Sequence, residues 1–195
     1  MTVREDRRII RTKQLLKDKL LDLISENGMD QVTVKELTER AGLNRGTFYL
    51  HYRDIQDFCE QYTEEMLYGY QMIIRKLELS ANCHSPDIEP PAGFVRPFDY
   101  ILENKRFFSV FLGPSGDSTL EIKLRRLIQD QLHRSYRVSN QFYGEIPAKQ
   151  QYLFAYLSSA YSGSIRHWIM QGLDLSPKEM AVLFAEISQL GSSNL

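Results

Sequence analysis

The sequence predicts an all-α fold in two helical units, and three observations carry that expectation. Apolar residues recur at helical spacing over most of the chain, and no stretch shows the strict alternation of a half-buried strand. Capping residues (Thr33, Asn44, Asp54, Ser176) stand in front of those periodic stretches, and glycines close several of them. Two segments rich in turn formers, residues 80–93 and 113–118, interrupt the pattern.

Each element has its own justification. A first helix is expected over about residues 7–27, with Ile9, Leu16, Leu20, Leu23 and Ile24 as its apolar stripe and Asn27-Gly28 as its end. A second opens behind Thr33, whose hydroxyl can cap a free N–H; Glu36 can reach back to complete a capping box. Its Val34, Leu37 and Ala41 should face the core. Gly42 supplies the positive φ of a sharp turn, Leu43 anchors that turn, and Asn44 caps a third helix over residues 45–50 with Phe48 as its core residue. A fourth runs from Asp54 to about Leu79 and is rich in aromatics. After the loop at 80–93, with its three prolines, helices are expected at 94–104 and 105–112. The GPSGDS turn precedes a helix over 119–137, and another covers 148–171, stopped by Gly172. Ser176-Pro177-Lys178-Glu179 is a strong start for a last helix reaching about Leu190.

Composition narrows the function classes. Net charge is −1, which argues against a generally nucleic-acid-sticky surface, yet residues 1–20 hold seven Lys or Arg against Glu5, Asp6 and Asp18, a local +4. A positive patch on a neutral body suits directed phosphate contact. No apolar run approaches the roughly 20 residues that span a bilayer. The charged start lacks a signal-type apolar region, so a cytoplasmic location is expected. Two cysteines, Cys59 and Cys83, in a chain of this size fit a reducing compartment without a disulfide.

The stretch VTVKELTERAGLNRGTFYLHYRDIQD, residues 32–57, carries the functional expectation. A helix as short as 45–50 buries too little to be stable alone. It makes sense as a reading head held by its neighbours, as in a helix-turn-helix whose second helix enters the DNA major groove. Arg45, Thr47 and Tyr49 are the candidates for base edges, with Asn44 and Gly46 beside them. Thr33, Lys35, His51, Tyr52 and Arg53 are placed for the phosphate backbone.

At Ala41-Gly42-Leu43-Asn44-Arg45-Gly46-Thr47-Phe48-Tyr49-Leu50-His51-Tyr52-Arg53 the chain resembles the TetR/AcrR family of transcriptional regulators. Asn44, Tyr52 and Arg53 stand where Ser, Phe and Lys are common in that family. The resemblance implies an N-terminal DNA-binding domain, residues 1–53, and a C-terminal helical domain for regulation and dimerisation, residues 54–195. It also implies a homodimer paired through the last helices. Ala155, Ser159 and Gly163 fall four apart on one helix face, and small residues at that spacing allow close helix approach. Met180, Leu183, Phe184 and Ile187 form a stripe on the final helix. These seven are the candidate dimer interface; internal packing explains them equally well by pattern alone. The run from Gly163 to Met180 is loosely similar to the branch of the family that includes the dihydroxyacetone-kinase regulators.

Other constellations point less far. GPSGDS lacks the Gly-Lys-Ser/Thr ending of a phosphate-binding loop, and Cys83-His84 has no second pair at ligand spacing. No catalytic motif is present, so neither an enzyme, a cofactor nor a metal is expected. Tyr62, Tyr70, Phe107, Phe111, Tyr152 and Trp168 are candidates for an effector pocket taking a small apolar or aromatic molecule, with His133 or His167 as a polar handle. As core residues they would need no further account. The expectation is a DNA-binding regulator, a ligand-responsive repressor acting as a homodimer on a palindromic operator. Activation, or regulation by a protein partner, is the alternative mode. A helical adaptor or ligand-binding protein that has lost DNA binding is the alternative class.

Overall fold

The computed structural model describes residues 3–77, 92–114, 116 and 118–192. Among them the chain is all helix: α1 Val3–Asn27, a single 3₁₀ turn Met29–Gln31, α2 Val34–Ala41, α3 Arg45–Tyr49, α4 Ile55–Ile74, α5 Ala92–Glu103, α6 Lys105–Phe111, α7 Ser118–Ser139, α8 Ala148–Met170 and α9 Pro177–Ser192.

Local chemistry sets most boundaries. Gly28, at φ 83°, donates its N–H to Ile24 and ends α1. Thr33 caps α2 through the Glu36 N–H at 3.2 Å, but only half of the expected capping box forms. The Glu36 carboxylate accepts instead from the Asn27 amide at 3.2 Å, tying the end of α1 to α2. Gly42 takes the left-handed conformation, φ 63°, and Leu43 donates back to Thr38, closing α2. The capping box forms in full at α9, where Ser176 Oγ accepts from Glu179 N–H and the Glu179 carboxylate from Ser176 N–H.

Three boundaries differ from expectation. The backbone of α1 is helical from Val3, ahead of its first buried residues. α4 ends at Ile74 rather than near Leu79, which lies outside the described residues together with Cys83 and His84. α5 starts at Ala92 and carries Pro97 inside it, so residues 92 and 93 belong to a helix and not to the loop.

One contiguous core runs through the molecule. Leu16, Leu20, Leu23 and Ile24 of α1 are fully buried with Leu37 and Phe48, and the same cluster continues to Trp168 and Met180. A ladder of rings runs from α3 to α6: Phe48 meets Phe58 edge-on at 6.0 Å, Phe58 stacks on Tyr62 at 6.4 Å, Tyr62 tilts on Phe107 at 4.8 Å, and Phe107 stacks on Phe111 at 4.5 Å. Each such pair adds about 0.5–1.5 kcal/mol beyond its buried area. Charge clasps follow the same route. Lys17, 11% exposed, reaches both Glu65 oxygens at 2.6 Å and lies 4.8 Å over the Tyr62 ring. Arg106 of α6 holds Asp22 and approaches Asp18 of α1 at 3.9 Å. Among the described residues no helix is long and apolar enough to cross a membrane.

Candidate nucleic-acid interface

α3 is short, and its neighbours fix it in place. Asn44 Oδ1 accepts the Gly46 N–H at 2.8 Å. Phe48 is fully buried and meets Tyr52 at 5.4 Å and Phe58 at 6.0 Å. With Phe48 as the anchor, the outer face is left open: Arg45 and Gly46 are exposed, Thr47 is half-buried, Tyr49 is 57% exposed and Leu50 78%. A Cβ on Gly46 would sit 3.3 Å from Asn44 Oδ1, so a side chain there crowds the cap. Leu50 is the member of this face that sequence reasoning missed. In the sequence it marks only the end of a helix, and periodicity over so short an element cannot say which side is open.

The five phosphate candidates separate. Thr33 and Lys35 are exposed at the start of α2, with the Thr33 hydroxyl already engaged as a cap. Arg53 is exposed, and Asp57 accepts its backbone N–H at 2.8 Å and its guanidinium at 3.3 Å. Chiefly that backbone N–H, then the Gln61 amide, holds the Asp57 carboxyl below the usual range. Asp54 caps α4 by accepting the Asp57 N–H at 2.8 Å, so the end of the reading head and the start of α4 form one hydrogen-bonded joint. His51 is half-buried; burial first, and the Lys13 ammonium second, push its imidazole below the ordinary value. At neutral pH it therefore offers a neutral N–H rather than a cation. Tyr52 must be withdrawn from the phosphate set. It is 5% exposed, tilted against Phe58 at 4.2 Å with Lys13 Nζ 5.9 Å above the ring, and burial pushes its phenol up to about 12. Its ring belongs to the core.

Behind the head, α4, α5, α7, α8 and α9 line a half-open apolar cavity of about 110 Å³. Tyr70, Phe94, Phe98, Ile128, Tyr161 and Phe184 line it, with Gln131 as a buried polar group donating to Leu77 C=O at 3.3 Å. Of the expected pocket residues, Tyr70 alone is in this lining. Tyr62, Phe107 and Phe111 belong to the ring ladder instead. Trp168 is 2% exposed, and its indole N–H donates to Leu175 C=O at 2.9 Å. Tyr152 is neither pocket nor core at 80% exposure. His133 packs on Phe154 at 5.1 Å, outside that lining, and His167 is exposed. Among the described residues no group of three His, Cys, Asp or Glu side chains is placed to hold a metal ion.

The expected dimer residues also divide. Ala155, Ser159 and Gly163 are exposed on α8, flanked by Tyr152 and by Tyr156 at 64%, and nothing lies within 4 Å of a Cβ built on Gly163. On α9, Met180 is 1% exposed, while Phe184 stacks on Tyr161 at 4.8 Å and meets Phe98 at 4.9 Å. Leu183 packs against the same core and Ile187 is half-buried. Met180, Leu183 and Phe184 thus pack on the chain's own core, with Phe184 also lining the cavity, and Val182 is exposed on the other side at 38%.

Comparison with known proteins bears on both halves. Residues 18–62 match the family model of bacterial regulatory proteins of the tetR family, and residues 89–190 that of a transcriptional regulator C-terminal region. The chain is 28% identical over 102 residues to the HTH-type transcriptional regulator YxbF of Bacillus subtilis (strain 168); the match takes in half of this chain and spans a quarter of that protein's length. Among solved structures, the fold is similar to a tetR-family regulator from Streptomyces coelicolor, with TM-score 0.65, 18% identity, and 98% of this chain and 82% of that one covered. The dihydroxyacetone kinase operon activator DhaS gives TM-score 0.59 at 16% identity, with 91% and 94% covered. SmeT, solved as a complex with triclosan, gives 0.63 at 14% identity, with 92% and 90% covered.

Proposed function

The chain belongs to the TetR family and is a DNA-binding transcriptional regulator, and from that premise we propose that it is a cytoplasmic, ligand-responsive repressor binding a palindromic operator as a homodimer. In this reading residues 1–53 bind DNA, and residues 54–195 regulate and dimerise. The observation that carries it is the open face of α3, held rigid by the Asn44 cap and the buried Phe48. Arg45, Thr47 and Tyr49 reach base edges, and Leu50 supplies an apolar surface suited to a thymine methyl. Lys35 and Arg53 bind phosphates, with Thr33 and His51 offering neutral contacts to the backbone. A helical adaptor that had lost DNA binding would have no use for these exposed polar and aromatic side chains on so short a helix.

Two heads must enter successive major grooves roughly 34–36 Å apart. The exposed face of α8, Tyr152, Tyr156, Ser159 and Gly163, is the surface through which two copies pair. A ligand weakens operator binding only if it prefers one arrangement of the heads over the other. The cavity beside Tyr70 and Phe98 suits a small apolar or aromatic molecule, with Gln131 as the polar handle. The test is selection of bound duplexes from a random pool. An enriched palindrome with half-sites one helical turn apart is expected, and a reporter gene behind it should be silenced. No enrichment by the folded protein would overturn the reading.

A further inference from the structure

Resting on the DNA-binding reading, we propose that the first turns of α1 are a second, sequence-independent clamp that grips duplex phosphates outside the half-site read by α3. The first fully buried residue of α1 is Leu16, and Arg7, Arg8, Ile10, Arg11 and Gln14 are exposed. Ile9, Thr12, Lys13 and Leu15 are half-buried, so these first turns rest on the body along one face and hold the arginines out on the other. Lys13 fixes where this arm springs from: its ammonium lies 5.9 Å over the Tyr52 ring, directly beyond the end of α3. At 1.5 Å per residue the arm carries its charge about 9 Å further, from Lys13 to Arg7.

The charge pattern is lopsided along the helix. In the lower part, Lys17 is matched by Glu65, and Asp18 and Asp22 by Arg106. Among the described residues no carboxylate pairs with Arg7, Arg8 or Arg11. Arg7 and Arg11 sit four residues apart, where like charges repel across a helix face and disfavour it. Glu5 and Asp6 offset part of the charge, but residues 4–13 still hold five Lys or Arg against these two acids. A polyanion laid along the arm removes the repulsion, and the neighbouring reading head determines that the polyanion is the flanking duplex. Arginine–phosphate contacts add affinity without sequence preference.

The test compares two lengths of the selected duplex: one trimmed at the outer ends of the half-sites, one extended by about a helical turn, roughly 10 base pairs, on each side. The unmutated protein should lose at least about tenfold in affinity on trimming, with a log–log salt slope flatter by about 0.9 for each phosphate that the arginines no longer neutralise. Arg7→Gln/Arg8→Gln/Arg11→Gln should bind both duplexes alike, at the affinity of the unmutated protein for the trimmed one. The triple Lys replacement should keep the advantage of the longer duplex. Equal binding of both lengths by the unmutated chain overturns the clamp and leaves the DNA reading standing; it requires no variant to fold. An equal loss on both duplexes in the Gln variant overturns it as well. Failure of the unmutated chain to bind any selected duplex removes the DNA reading and the clamp together.

Discussion

Tyr49 shows how much one side chain decides. Its ring is 57% exposed while its neighbour Phe48 is fully buried, so fold and recognition separate at adjacent positions. Tyr49→Ala should leave the melting temperature nearly unchanged and weaken operator binding by about 1–3 kcal/mol if the ring meets a base; titration by fluorescence anisotropy checks it. His51 makes a pH-dependent contribution. Its lowered value means that the folded chain resists a proton which the unfolded chain accepts. The stability it supplies is complete above the ordinary imidazole range and is lost as pH falls through that range to the folded value. His51→Gln should flatten this acid-side decline in thermal melts. At this scale the sequence is legible wherever chemistry is local: Asn44, Thr33 and Asp54 all cap as expected. It misleads at Tyr52 and Tyr152, because a tyrosine is as much at home in a core as in water. Nothing near 52 or 152 in the sequence reveals which ring another helix will cover.

At the scale of elements, the joint between α3 and α4 is the most consequential. Asp54 and Asp57 gather the backbone N–H groups of both segments. Asp54→Ala should cost about 1 kcal/mol of stability through loss of the cap. It should also weaken operator binding, since the head loses its fixed angle to α4; calorimetry and anisotropy read the two effects. On α8 the expectation is of opposite kind. Gly163→Leu meets open space in the single chain, and exchanging a mid-helix glycine for a good helix former favours the helix by roughly 0.8–1 kcal/mol. The variant should fold at least as well and sediment as a monomer; a dimer of unchanged strength would remove α8 from the interface. The small-residue face of α8 fits two uses by pattern alone, and the fold leaves Ala155, Ser159 and Gly163 exposed. On α9 the chain itself covers Met180 and packs on Phe184, while Leu183 and Ile187 stay half-buried. Periodicity identifies the covered side of a helix and is silent about what covers it, here Tyr161 and Phe98 of the same chain.

Across the whole molecule, no mechanical break marks the division proposed at residue 53. One core cluster, the Phe48–Phe58 rung of the ring ladder and the Arg106–Asp22 pair all cross it. Heating should therefore produce one cooperative transition, with the head melting together with the body; two separate calorimetric peaks would show independent units. The all-helical plan and its order are legible from spacing and caps. The cavity is not, because its wall draws on five helices spread from Tyr70 to Phe184, and only their assembly brings those rings together. Trp168 gives this arrangement an optical consequence. It is the sole tryptophan of the chain, buried to 2% and set edge-on 6.0 Å from Phe98, whose other contacts form the cavity wall. Emission excited at wavelengths too long for its eleven tyrosines to absorb thus comes from one indole, a single ring away from that space. It should lie toward the blue in the native state and shift red on unfolding. A guest that displaces Phe98 should change its intensity, so the protein carries its own luminescent gauge of whether the cavity is filled.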